Sequence, residues 1–145
     1  MGYVYLAHPI DQSRLREHLV RAQQLLIQAE ISYFCPVDGW SGTGSLAGVQ
    51  AANEDVLARA SVLFVILNGD CTFGIPAEMQ LAKSLGIPVV VWINTAVIFY
   101  DPKHPFSAGA VLPHLATHGA FVDMVRAVAR VGQLVGDPKI GRAHV

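Results

Sequence analysis

Residues 62–78, VLFVILNGDCTFGIPAE, run from six apolar residues through Asn68-Gly69-Asp70 and a second glycine, Gly74, to the carboxylate of Glu78. The run 62–67 is rich in β-branched and aromatic residues and is bounded by turn formers, which predicts a strand buried on both faces. In an open α/β sheet, ligands bind beyond the carboxyl ends of the strands, where the next helix presents free amides and the positive end of its dipole. Glu78 is expected in the first turn of that helix. Its carboxylate either complements the dipole or meets a ligand in the crevice, and these residues alone leave both readings open.

Other groups gather where a ligand would sit. Asp11, Ser13, Arg14 and Arg16 follow the first apolar run, and a hydroxyl, two guanidinium groups and free backbone amides could hold a phosphate there. The same residues also suit a capped helix start with solvated arginines. Trp40, in a glycine-rich loop, can stack on a base or sugar or plug the loop onto the domain. Asn53, Glu54 and Asp55 are expected to open a helix as caps and dipole partners. The glycines at 42, 44 and 48 lack the spacing of a dinucleotide fingerprint and the Lys-Ser/Thr ending of a P-loop, so a loop or lid is expected. His114 and His118 are four apart without an HExxH motif or third ligand. Neither a metal nor a cofactor is expected.

The elements that must position these groups follow from apolar spacing. Strands are expected over 3–7, 31–35, 62–67 and 88–93, and helices over 13–30, 49–60, 75–85 and 120–135. Pro76 fits a first helical turn and Gly86 a helix end. Residues 37–48 are expected as a loop, 101–113 as an irregular excursion, and 136–145 as a frayed end unless a partner subunit orders it. Alternating strands and helices predict one α/β domain over 1–145, a three-layer sandwich around a mostly parallel Rossmann-like or flavodoxin-like sheet.

Composition narrows the function. The 145 residues are 52% hydrophobic and 14% charged, with a net charge of -1. So little charge suggests a covered surface, hence a homodimer or higher homo-oligomer, and without basic excess no nucleic-acid polymer is expected as partner. Cys35 and Cys71 form no CxxC pair. The chain turns polar at Asp11 without a secretory pattern, and the apolar run 87–100 contains Asn94 and is too short for a bilayer. A cytoplasmic protein without membrane contact is expected.

Tyr5-Leu6-Ala7-His8-Pro9 resembles the YLAGP-type first strand of the nucleoside 2-deoxyribosyltransferase family and its nucleoside 5′-monophosphate N-glycosidase relatives. Leu67-Asn68-Gly69 and Gly74-Ile75-Pro76-Ala77-Glu78 resemble that family's LDG and GTAxE signature, and the likeness covers about residues 3–92. It implies an enzyme acting on the N-glycosidic bond of a small-molecule nucleoside or nucleotide. Glu78 would be the nucleophile and Tyr5 would orient it. His8, Asn68, Asp70 and Gly74 would line the substrate site.

The departures are also specific. His8 replaces a glycine, Asn68 the LDG aspartate, and Thr72 an acid six residues before the nucleophile. A further family aspartate aligns with Asn53, two residues from Asp55, which becomes the catalytic candidate there. Asp70 or Asp38 would supply the missing acid. Relatives complete the site from an adjacent subunit, a role assigned to Asn94. Two other readings stand beside the transferase: a hydrolase confined to 5′-monophosphates, and a nucleotide-binding sensor without turnover.

Overall fold

The computed structural model describes residues 2–8, 16–36, 46–67, 74–95 and 115–136. In chain order they form β1 (Val4–Ala7), α1 (Arg16–Gln28), β2 (Tyr33–Phe34), α2 (Leu46–Ala58), β3 (Val62–Leu67), α3 (Gly74–Ser84), β4 (Val89–Ile93), β5 (Ala120–Phe121) and α4 (Met124–Val135). The five strands make one parallel sheet in the order β2-β1-β3-β4-β5. The protein is therefore an α/β sandwich with flavodoxin-like strand order, and its topological switch lies between β1 and β3.

The central strands are buried along their whole length, as their unbroken apolar runs require. Side chains alternate between the two faces. Val4, Leu6, Phe64 and Trp92 pack with Leu19 and Leu26 of α1 and with Val131 of α4. Tyr5, Ala7, Leu63 and Val91 point the other way, toward Leu57 of α2 and Met79 of α3. Right-handed crossovers account for this division, because the chain crosses the sheet one way through α1 and the opposite way through α2 and α3. Tyr5 is thus delivered to the layer that contains α3.

Three expectations need correction. Residues 120–135 are not one helix: Ala120 and Phe121 pair with Val91 and Trp92 as β5. The helix begins only at Met124, after Asp123 in extended conformation caps it by accepting the Arg126 N–H at 3.1 Å. Gly119, at φ 129, and the 3.0 Å hydrogen bond from Trp92 Nε1 to the Val122 carbonyl fix the turn and strand before it. Secondly, α2 starts at Leu46, so three residues of the expected loop are helical and 53–55 lie inside the helix rather than at its cap. Thirdly, the second strand shrinks to Tyr33–Phe34. Residues 42–45, the excursion at 101–113 and the end at 137–145 lie outside the described residues.

Helices α1 and α3 end in the same way. Ile31 N–H bonds the Leu26 carbonyl and Glu30 N–H that of Ile27, while Ile87 bonds Ala82 and Gly86 bonds Lys83. These are Schellman ends, which place one residue in the left-handed region: Gly86 at φ 74 and Glu30 at φ 58. Glycine is suited to that position and glutamate is not. Glu30→Gly is expected to raise unfolding free energy by about 0.5–1 kcal/mol in urea titrations, with an unchanged m-value.

Candidate active site

Helix α3 is anchored by Ile75, Met79 and Ala82, all buried. Glu78 sits on the edge of that stripe, three residues after Ile75 and four before Ala82, so the spacing that docks the helix also draws the carboxyl partly into the protein. From the sheet beneath, Tyr5 projects into the same layer with 0% of its surface exposed, and its ring tilts against Phe34 at a centroid distance of 5.7 Å. Tyr5 Oη and Glu78 Oε2 are both buried, and neither completes a hydrogen bond of ordinary geometry.

The two groups nevertheless act on each other. Burial raises the Tyr5 phenol far above its ordinary pKa, and the charge and hydrogen-bonding influence of Glu78 add to that. Burial also pushes Glu78 up from 4.5 to about 7; Tyr5 works against this rise, and the charge of Glu54 adds to it. The phenol and carboxyl are therefore close enough to influence each other's titration while stopping short of a formed bond. Such loosely set contacts are common in unliganded catalytic sites.

The dipole explanation for Glu78 does not survive this geometry. The helix begins at Gly74, so Glu78 lies in the second turn, and its first turn carries no acid. A carboxylate stabilised by the dipole would have a lowered pKa, and the effect fades beyond the first turn. Here the shift is upward, and burial is its main cause.

Other candidates cluster at the same end of the sheet. His8, 8% exposed, directly follows β1, and Asn94, 6% exposed, follows β4. The Asn94 N–H bonds the Leu67 carbonyl at 3.0 Å, joining the ends of β3 and β4. Gly74 opens α3, and Asn53 is half-buried on α2. Ser13, Arg14, Trp40, Asn68 and Asp70 lie outside the described residues, as do Asp38 and Thr72.

One assignment changes. Asp55 does not face Glu78: its side chain is 70% exposed and pairs with Arg59 at 2.7 Å. The acid on α2 whose charge reaches Glu78 is Glu54. One residue turns a helix by about 100°, so with Leu57 pointing into the core, Glu54 lies roughly 60° from that direction and Asp55 roughly 160°. The spacing of Glu54 to Leu57 was the available signal.

A separate concavity of about 290 Å³ opens on the α1–α4 side. There His18 packs on Trp92 with centroids 5.0 Å apart, and the indole N–H is already bonded to Val122. None of its lining side chains is a buried polar group lacking a partner. His118 is not on a helix with His114; its N–H bonds the Val89 carbonyl at 2.9 Å, and His114 is outside the described residues. Among the described residues no three His, Cys, Asp or Glu side chains converge as a metal site.

No family model matches the chain, and no curated protein sequence matches it. Solved structures do. A 2-deoxyribosyltransferase from the psychrotolerant bacterium Bacillus psychrosaccharolyticus matches with TM-score 0.64 and 22% identity, over 85% of this chain and 88% of its own. A 2-deoxyribosyltransferase from Leishmania mexicana matches with TM-score 0.67 and 13% identity, over 92% of this chain and 98% of its own. The chain has the 2-deoxyribosyltransferase fold.

The raised pKa has a stability consequence with a definite sign. Because the folded value, about 7, exceeds the ordinary 4.5, the carboxyl costs nothing while protonated in both states, below 4.5. The cost grows between those values and reaches roughly 3 kcal/mol above pH 7. Glu78→Gln is expected to melt higher than the wild type at pH 8, with the difference closing near pH 4, as read by thermal unfolding across pH.

Proposed function

We propose that the protein cleaves or transfers at the N-glycosidic bond of a deoxynucleoside, a nucleoside or its 5′-monophosphate, with Glu78 as nucleophile and Tyr5 as its positioning partner. The observation that carries this reading is a half-buried carboxyl with a pKa near 7, set against a buried phenol beside the switch point of the sheet. Breaking an N-glycosidic bond builds oxocarbenium-like charge on the sugar. A carboxylate on the face opposite the base stabilises that charge or traps it as a glycosyl ester. Water then gives hydrolysis, and a second base gives transfer. The chemistry needs no cofactor. The fold shared with proteins named for 2-deoxyribosyl transfer supports the same assignment.

We place this activity in a single domain that assembles as a cytoplasmic homo-oligomer. The 14% charged composition supports the oligomer, as do Val122, 56% exposed between β5 and α4, and Val125, 52% exposed on α4. No helix among the described residues is long and apolar enough to cross a membrane. A second reading, a nucleotide sensor without turnover, is favoured by Asn53, Asn68 and Thr72, which stand where the resemblance expects acids.

A panel of deoxynucleosides, ribonucleosides and their monophosphates, incubated with and without acceptor bases and resolved by chromatography, tests the proposal. Free base is expected from hydrolysis and an exchanged nucleoside from transfer. Absence of both across the panel sinks the enzyme reading, and a wild type that binds nucleotides without turnover establishes the sensor. In an active protein, Glu78→Gln should lower turnover by more than about 1000-fold while leaving binding largely intact.

The pH profile is a separate expectation. Glu78 attacks only when ionised, so kcat/KM should rise about tenfold per unit below pH 7 and level off above it. Tyr5 lowers the Glu78 pKa, so Tyr5→Phe should move that inflection to higher pH. An inflection that stays in place or moves down in Tyr5→Phe would remove Tyr5 from its positioning role.

A further inference from the structure

Tyr3 and Tyr5 share one face of β1, yet their hydroxyls are secured differently. Tyr3 donates to the Val56 carbonyl of α2. Tyr5 Oη completes no hydrogen bond of ordinary geometry, so whatever aims its phenol at Glu78 must act on the ring. The neighbours of that ring in the sheet are unequal to the task. Ala7, the next residue on the same face of β1, carries only a methyl. On the β3 side Tyr5 pairs with Leu63, whose aliphatic chain presents no plane. On the β2 side it pairs with Phe34, and the two rings meet with centroids 5.7 Å apart and 43° between their planes.

Parity divides the two residues of β2: Tyr33 packs with the α1–α4 layer and Phe34 with the layer of Tyr5. Phe34 is thus the one side chain that β2 places in that layer. The separation falls in the range of about 4.5–7 Å at which tilted aromatic pairs attract, and the attraction weakens as either ring turns. The phenolic oxygen lies on the axis about which its ring turns, so turning does not move it. Turning does move the O–H, because conjugation with the ring holds that bond in the ring plane. A hydrogen bond weakens steeply as its angle closes, so a Tyr5 ring free to turn would favour Glu78 only part of the time.

We propose that Phe34 is a positioning residue of the candidate site: its ring fixes the tilt of the Tyr5 ring, and with it the plane in which the phenol can donate to the Glu78 carboxyl. The inference rests on the reading of Glu78 as nucleophile and Tyr5 as its partner.

Phe34→Leu keeps apolar bulk and removes the plane. Because Tyr5 lowers the Glu78 pKa, carbon-detected NMR of the Glu78 carboxyl should show its titration moving up from about 7 in this variant. Phe34→Tyr, which restores a ring, should recover most of the change. In a Tyr5→Phe background Phe34→Leu should add no further shift. Tyr3, Cys35 and Glu54, the other titratable groups that act on the pair, are the same in the variant and its parent each time. In turnover the kinetic inflection should follow the NMR titration, with kcat down about tenfold and KM within about twofold. A purely structural role would lower the melting temperature and leave the titration in place.

An unmoved or downward titration in Phe34→Leu, no recovery in Phe34→Tyr, or an equal shift in the Tyr5→Phe background each overturns the inference. Where Phe34→Leu does not fold, Phe34→Met fills the space without a plane and gives the same comparison. The wild type by itself should show a nuclear Overhauser contact between the two rings, and absence of that contact also overturns the inference. Wild-type protein inert toward every nucleoside removes the nucleophile reading and this inference with it. An active wild type whose Phe34→Leu variant titrates unchanged removes this inference alone.

Discussion

A strand buried on both faces commits each side chain to one layer by its parity, and the geometry of the candidate site follows from that constraint in β1. Tyr5 pairs with Leu63 of β3 on one side and Phe34 of β2 on the other, so its register is held from both edges. A slip of one residue would turn the phenol toward α1 and α4 and bring Val4 or Leu6 under Glu78. Such a slip would also exchange the inward surfaces of both hydrophobic layers. The same packing that stabilises the sheet therefore keeps the phenol opposite the carboxyl, with no dedicated hydrogen bond needed to aim it.

How much of this is legible in the sequence depends on how many residues report each feature. Val62–Leu67 was readable to the residue because its apolar run is unbroken and bounded by turn formers. β5 was not, because two residues carry no period, and Ala120 and Phe121 merge with the amphipathic pattern of α4. Glycines at 42, 44 and 48 outweighed the helical spacing that starts at Leu46. The position of Tyr5 against Glu78 came from family resemblance; composition alone makes a strand tyrosine core filler. Asp55 lies two residues from the position the resemblance marks and yet faces away from Glu78, because a helix sorts neighbours by angle and not by distance along the chain. Asn94 was correctly put at a strand end, but burial of a strand-end amide leaves no mark in the sequence.

The environment of Glu78 looks wasteful as structure and coherent as chemistry. Burial and Glu54 disfavour its charge, and Tyr5 alone among the named influences favours it. A fold seeking stability would place an apolar residue or a salt bridge there. The phenol, meanwhile, cannot ionise near neutrality, so it is a permanent donor. A donor that never changes state neither takes a proton from Glu78 nor gives one up to it.

A carboxylate with the ordinary value of 4.5 would be fully ionised at neutral pH but weakly basic, and nucleophilicity grows with basicity. At about 7 the group is more basic while half the molecules still carry the charge. Raising it further would improve attack but reduce the ionised fraction, and it would make the glycosyl ester harder to break, since a more basic oxygen is a poorer leaving group. In the proposed reaction Tyr5 would relieve that second difficulty, because its O–H could donate to the oxygen that departs when the ester opens. In the displacement we propose, the opposing influences of burial and the phenol would thus act on different halves, the first favouring formation of the ester and the second its breakdown.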